Sequence, residues 1–385
     1  MRIGIEAQRL FRKKKHGMDI VALELIKGLQ KIDKENEYVI FAKAGPDQCV
    51  IEPTENFEIV TTSNYPYPIW EQLILPNYAK QKEIDILHCT SNTAPLYRNM
   101  PAILTLHDVI FLNSDRSVWN QGSLYQKLGN IYRRWIVPKV IHKCQAIITV
   151  SNWAKQEILD HFSNVNDRLF RVYNGVNEVY KQGANSQDLE MAKRKYDLPD
   201  KFILFLGNKA SKKNMIGVLK AYCIYTSNNC FGHIPLVVTD VERDYLMHIL
   251  KGIGCEEISE CIHTVGYVKN SDLQFIYSRA IIFLYPSLTE GFGLPILESM
   301  ACKTPVITSG TTSMPEIAGD SALLVDPYDP GDIAEKIIEL LSDKTLYDKL
   351  VERGIERIEQ FSFLNMSKEI LELYKKTGEQ LQLSA

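Results

Sequence analysis

Residues 287–302 read Ser-Leu-Thr-Glu-Gly-Phe-Gly-Leu-Pro-Ile-Leu-Glu-Ser-Met-Ala-Cys. A short apolar run at 280–284 leads into Tyr285-Pro286-Ser287 and a loop carrying Glu290, so the pattern reads as strand, loop and helix. Gly291 and Gly293 let the backbone come close to a ligand. Pro295 suits a first helical turn, where its missing N–H costs nothing. The amides of Phe292, Gly293 and Leu294 then point outward at a positive helix end, which suits phosphate. Glu290 and Glu298 flank that anion site, one before the helix and one inside it. Carboxylates in such places accept hydrogen bonds from sugar hydroxyls rather than hold phosphate. Diphosphate donors and hydroxyl acceptors together point to a nucleotide sugar.

Outward from this stretch, short apolar runs alternate with helical patterns. Runs at 2–6, 38–41, 57–60, 85–88, 102–106 and 146–150 read as strands of a first sheet. Helical spacing separates several of them, at 19–31, 70–82 and 119–143. A second series of strands falls at 202–206, 235–238, 261–265, 280–284, 305–308 and 322–325, with helices near 215–225, 242–251, 271–278 and 295–301. Such alternation with continuous apolar strands predicts an α/β fold with parallel sheets covered on both faces. A polar stretch after Gly175, without strand pattern, divides the halves. The expected organisation is a first domain over 1–180, a second over 181–362 and a terminal helix over 363–385 that returns to the first.

A chain of 385 residues suits two such domains. With 44 Lys and Arg against 47 Asp and Glu, the formal charge of −3 argues against general nucleic-acid binding. No apolar run reaches membrane-spanning length. The start of the sequence enters a strand directly, leaving no room for a signal peptide. The eight cysteines form no Cys-x-x-Cys pair and read as reduced thiols of a cytoplasmic protein rather than as a disulfide or zinc framework.

Other residues with chemistry to offer sit just after strands, where ligands of open α/β sheets bind. Gly17 stands at a helix entrance behind a basic run, Lys13 to Lys15, that reads as a solvated loop. His107 follows the 102–106 strand and could donate a hydrogen bond to a sugar hydroxyl. Gly207 ends the first strand of the second half, and Lys212 and Lys213 follow where cations can face a diphosphate. Gly266-Tyr267-Val268 exits another strand. Trp70, Glu71 and Gln72 open a helix with groups suited to stacking on a sugar and holding its hydroxyls. Ser151 reads as the cap of its helix. The 119–143 helix interleaves Arg133, Arg134, Lys139, His142 and Lys143 with aromatic and aliphatic residues, a face that could rest on an anionic membrane.

Glu-Gly-Phe-Gly-Leu-Pro-x-x-Glu resembles the signature of retaining GT-B glycosyltransferases, in particular glycosyltransferase family four. The likeness continues in the family's order through Gly17, His107, Ser151, Asn174-Gly175-Val176, Gly207, Lys213 and Phe361-Ser362-Phe363, and is more specific in the carboxyl half. It implies two Rossmann-like domains with parallel sheets facing across an interdomain cleft, the first binding the acceptor and the second the donor. It implies transfer from a nucleotide-diphosphate sugar with retention and without a metal or other cofactor. No Asp-x-Asp follows a strand, and lysines with a helix end can replace a cation. By resemblance His107 contacts the hydroxymethyl group of the donor sugar, Glu290 orients that sugar, and Lys213 neutralises the leaving diphosphate. Those three are the expected catalytic residues. Lys212 stands where arginine is common, so a point charge replaces a bidentate contact. Gly17, Gly207, Lys212, the amides from Gly291 to Leu294 and Glu298 (on the ribose) complete the donor site, with Tyr267 or Val268 over the base.

Trp-Glu-Gln is similar to mannosyltransferases of bacterial surface-polysaccharide assembly. A hexose, with mannose favoured, is therefore expected to pass to a glycan or lipid-linked acceptor. The cytoplasmic enzyme would rest peripherally at the inner face of the membrane and bind no nucleic acid. Two other readings fit the same pattern: a nucleotide-sugar 2-epimerase and a catalytically silent nucleotide-sugar-binding partner protein.

Overall fold

The computed structural model of the protein describes residues 1–112, 124–228 and 234–384. The chain forms two compact units, Met1–Gly175 with Ser362–Ala385, and Val176–Phe361. The crossings thus fall at Gly175/Val176 and Phe361/Ser362, against the 180/181 and 362/363 read from the sequence.

The first unit holds a seven-stranded sheet of order β3-β2-β1-β4-β5-β6-β7. Its strands are β1 (Arg2–Glu6), β2 (Glu37–Lys43), β3 (Phe57–Thr62), β4 (Ile86–Cys89), β5 (Ala102–Thr105), β6 (Ala146–Thr149) and β7 (Leu169–Arg171). All their pairings are parallel. Continuous burial of Ile86–Cys89, Ala102–Thr105 and Ala146–Thr149 accounts for the unbroken apolar runs. β7 was missed from the sequence because three residues at a sheet edge show no period.

The terminal helix Phe363–Ser384 packs on the Gly17–Ile32 helix, within the first unit. They come so close that a Cβ on Gly28 would meet Ser367 Oγ at 2.0 Å. Farther along, the Tyr374 hydroxyl lies 2.6 Å from His88 Nδ1, and His88 Nε2 lies 2.7 Å from Thr105 Oγ1. A buried polar chain thus fastens this helix to β4 and β5.

The second unit has a six-stranded sheet of order β10-β9-β8-β11-β12-β13. Its strands are β8 (Ile203–Phe205), β9 (Leu236–Thr239), β10 (Ile262–Gly266), β11 (Ile282–Tyr285), β12 (Val306–Ser309) and β13 (Ala322–Val325), again all parallel. Helices Met215–Ser227 and Pro330–Ser342 pack together beside a core built from Ile203, Phe205, Val218, Tyr222, Leu284 and Ile337. Both strand orders reverse once, at β1/β4 and at β8/β11. Loops leaving such a reversal diverge and open a crevice beyond the carboxyl ends of the strands.

Candidate functional site

The second unit's reversal brings its chemistry together. β8 and β11 are neighbours, paired from Ile203↔Ile282 to Phe205↔Leu284. Gly207 and the Ser211–Lys213 turn follow one strand, and the Glu290 loop follows the other. Gly207 is fixed by space, since a Cβ there would meet Val238 Cγ1 at 2.9 Å and Thr239 O at 3.0 Å. Asn214 adopts φ +61° and donates through Nδ2 to Pro286 O at 3.0 Å and Pro327 O at 2.6 Å. The Leu288 amide donates to Lys212 O at 2.8 Å. These bonds lock the lysine turn against the glutamate loop.

Side chains converge as a result. Lys213 Nζ lies 2.7 Å from Glu290 Oε1 and 2.7 Å from the Tyr285 hydroxyl, and Lys212 Nζ lies 3.2 Å from Glu290 Oε2. The Tyr285 hydroxyl donates to Glu290 Oε1 at 3.0 Å. Burial alone would raise the Glu290 carboxyl, which is only 8 % exposed. The two ammonium groups overcome that and hold its pKa at about 2. Glu290 is therefore a buried, fixed carboxylate held between two cations. Tyr285 escaped the sequence reading because a tyrosine closing an apolar strand looks like core.

Beyond Glu290 the backbone turns through Gly293 (φ +105°) into the Leu294–Ala301 helix, with Pro295 in its first turn. Ser313 Oγ donates to Glu290 O at 2.8 Å and to Phe292 O at 3.0 Å, tying down the loop's carbonyls. The Gly293 and Leu294 amides meet no acceptor among the described residues. They stand at a helix end that favours anions. Inside this helix, Glu298 Oε2 accepts from the Tyr277 hydroxyl at 3.1 Å. Burial raises its pKa to about 7, against the lowering effect of Tyr277, Lys213 and Tyr180. The two carboxylates read from one motif thus differ in character. One is charged throughout the physiological range, and the other titrates within it.

Among the remaining donor-side residues, Val268 is buried (4 %) while Tyr267 is half-exposed, so of the two Tyr267 presents the larger surface. Gly266 takes φ +61° just before them.

In the first unit, Gly17 begins its helix and is exposed, and the His16 amide donates to Asp19 Oδ2 at 3.0 Å. Lys15 is not free in solvent as expected: it pairs with Asp47. Ser151 Oγ accepts from the Ala154 amide at 3.0 Å and caps its helix as read. His107 borders a small cavity with Val21, Thr90, Val150, Asn174 and Ile370. Its Nε2 lies 3.1 Å from Thr90 O. Burial lowers its pKa, so the ring is neutral and carries its proton on the nitrogen facing that carbonyl. Nδ1 is then an acceptor. The expected donation to a sugar hydroxyl is not seen here, because the ring's one N–H is given to Thr90 O.

Trp70 is also corrected. It is fully buried, and its Nε1 donates to Thr62 Oγ1 at 2.5 Å. The indole belongs to the first unit's core and has no face on which a sugar could stack. Glu71 is buried as well, accepting from the Tyr67 hydroxyl at 2.7 Å, from Gln72 Nε2 at 2.8 Å, and from Thr93 and Tyr132. Gln72 also accepts the Leu96 amide at 2.8 Å. They lie on the π-helical stretch Trp70–Ile74, which buries Trp70 and Glu71, half-buries Gln72 and leaves Leu73, with Ile69 before it, exposed. The 119–143 helix is seen as Leu124–Val140 followed by a turn at Ile141–Lys143, and its expected start at 119–123 lies outside the described residues.

The chain is similar to known proteins. Residues 16–179 match the family described as Glycosyltransferase Family 4, and residues 186–357 match Glycosyl transferases group 1. O-antigen chain mannosyltransferase B of Escherichia coli is 30 % identical over 284 residues, which cover 71 % of this chain and 70 % of that protein. The serotype-specific mannosyltransferase WbdA of the same organism is 28 % identical over 276 residues; the match covers 69 % of this chain but only 32 % of WbdA. Among solved structures, Anabaena HepE in complex with UDP and glucose superposes with a TM-score of 0.75 at 16 % identity, over 98 % of this chain and all of that one. The two reversed parallel sheets, the Glu290-to-Glu298 motif at its strand exit and these likenesses lead to one conclusion: the chain belongs to the family 4 (group 1) glycosyltransferases and has their GT-B fold.

Proposed function

We propose that the protein transfers mannose, with retention, from a nucleotide-diphosphate sugar to a glycan or lipid-linked acceptor of surface-polysaccharide assembly. The observation that carries the donor half is the Lys212–Lys213–Glu290 cluster on the loop that opens the Leu294–Ala301 helix. In this reading the helix-end amides and the two ammonium groups take the charge of the departing diphosphate, so the reaction centre needs no metal. Glu290 accepts from hydroxyls of the donor sugar and is not a covalent nucleophile, and Glu298 accepts from the ribose. The acceptor hydroxyl enters on the face the diphosphate leaves. Mannose is supported by the likeness to O-antigen mannosyltransferase B and WbdA. The HepE complex supports a nucleotide-linked donor of this general kind.

Peripheral membrane contact belongs to the same proposal. No helix among the described residues is long and apolar enough to cross a membrane. The Leu124–Val140 helix instead buries Ile136, Val137 and Val140 and exposes Leu128 (58 %), Ile131 (52 %) and Trp135 (55 %), with Lys139 Nζ 3.5 Å over the Trp135 ring. An apolar stripe edged by lysines suits an anionic interface.

A thermal-shift panel with GDP-mannose, UDP-glucose, UDP-N-acetylglucosamine and dTDP-rhamnose tests the donor. GDP-mannose should give the largest shift, followed by an α-linked product and by no gain in rate from added magnesium or manganese. A larger shift with another donor ends the mannose assignment, and a β-linked product ends the retaining one. The chain's affiliation is with transferases and not with the 2-epimerases weighed from the sequence.

A further inference from the structure

Apart from the donor cluster, three metal-ligating side chains converge near the edge of the second unit's sheet. Cys223 lies in the Met215–Ser227 helix. Cys255 follows Gly254, whose φ of +70° ends the Arg243–Ile253 helix. Glu257 stands in the Glu256–Cys261 turn that leads into the edge strand β10. The two sulfurs and a Glu257 carboxylate oxygen all lie within 4.8 Å of one another. The Cys223 thiol donates to Glu257 Oε1 at 3.1 Å. The backbone holds the group in place: the Cys255 amide donates to Leu250 O at 3.0 Å, and the Ile258 amide to Cys255 O at 3.4 Å.

We propose that Cys223, Cys255 and Glu257 form a binding site for a thiophilic divalent cation, zinc in the first instance, with water as a fourth ligand. Tetrahedral zinc, with Zn–S of about 2.3 Å and Zn–O of about 2.0–2.2 Å, sets its ligand atoms roughly 3–4 Å apart. The three ligand atoms, all within 4.8 Å of one another, are already near that spacing. Two sulfur ligands select against magnesium and calcium, which take oxygen. This departs from the reading of the cysteines as simple reduced thiols, because Cys223 and Cys255 are far apart in the chain and form no short motif. Three local structures have to fold before they meet.

A thiol must lose its proton to bind the ion, so affinity should strengthen as pH rises. A bound ion would join the Met215–Ser227 helix to the turn before β10. It would be a clamp within the second unit and no part of the Lys212–Lys213–Glu290 cluster, so glycosyl transfer does not run through it.

The test is a cobalt titration of the full-length, reduced chain after chelation. Binding at this site gives a thiolate-to-cobalt charge-transfer band and intense tetrahedral visible absorption that saturate at one ion per chain and vanish when zinc is added. Cys223→Ser and Cys255→Ser should each lose charge-transfer intensity and weaken zinc binding by about tenfold or more, and Glu257→Gln should keep the band with weaker affinity. Zinc should raise the melting temperature of the parent chain and not of the double serine variant. The proposal is overturned by the absence of a charge-transfer band, or by an undiminished band in the double variant. It is equally overturned by recovery of a Cys223–Cys255 disulfide without metal from protein purified in the absence of reductant.

Discussion

Lys213 Nζ sits 2.7 Å from Glu290 Oε1 and 2.7 Å from the Tyr285 hydroxyl, so one ammonium group joins the loop after β8 to both the end of β11 and the motif that follows it. Its charge serves Glu290 before any donor arrives. A diphosphate entering the cluster would share that charge.

Removing this cation should therefore show in binding and in rate. Lys213→Ala leaves Glu290 with Lys212 alone, while the fold keeps its apolar core. Nucleoside-diphosphate affinity and kcat should each fall by about tenfold or more, the scale of one lost charged contact. Calorimetry measures the first and initial rates the second. Unchanged affinity would make Lys213 a structural cation only.

Tyr285→Phe tests positioning separately from charge. The hydroxyl touches both Lys213 and Glu290, and the ring would still fill its place. Glu290 loses one donor and Lys213 one acceptor, but both charges remain. The expected outcome is a kcat lowered by roughly tenfold with KM for the donor and melting temperature little changed. A loss confined to stability would reduce Tyr285 to a core residue.

Glu298 makes donor binding pH-dependent. Its pKa is raised to about 7, so the empty site holds a protonated acid below neutrality and a carboxylate above it. If ribose hydroxyls donate to the carboxylate, the affinity for a nucleotide sugar should fall as pH drops through 7, by up to about tenfold from pH 8 to pH 6. The diphosphate of a nucleotide sugar keeps its charge over this range, so the slope belongs to the protein. Glu298→Gln should flatten it. The stability of the empty protein should change the other way, because this acid binds its proton more tightly folded than unfolded. It favours folding below about pH 4.5, and that contribution is lost as pH rises towards 7. Glu290, held at about 2, has the opposite sign: its contribution is present above about pH 4.5 and is lost as pH falls towards 2.

The second unit was legible because its site lies within short stretches of chain. The motif from Glu290 to Glu298 is continuous, and the Lys212–Lys213 turn follows a strand adjacent to the motif's own. The first unit was harder. Trp70, Glu71 and Gln72 carry groups fit for a sugar, but Trp70 and Glu71 are buried against partners distant in the chain, Thr62 and Thr93. Which nitrogen of His107 carries the proton depends on Thr90, a residue from a different strand exit. Neither relation leaves a mark at short spacing in the sequence.

Membrane contact yields the last prediction. Leu128, Ile131 and Trp135 recur at i, i+3 and i+7 on the exposed side of a helix whose other side is core. Burying three such side chains in a lipid interface is worth on the order of several kcal/mol, and nearby Lys139 and Lys143 add attraction to anionic headgroups. The protein should therefore sediment with vesicles containing anionic lipid and much less with zwitterionic ones, and salt should weaken the binding. Trp135→Ser with Ile131→Ser should cut the bound fraction by tenfold or so while leaving the melting temperature and the nucleotide-sugar shift unchanged. Equal sedimentation of parent and variant would move the contact elsewhere on the molecule. Equal binding to neutral vesicles would show that the lysines play no part in it.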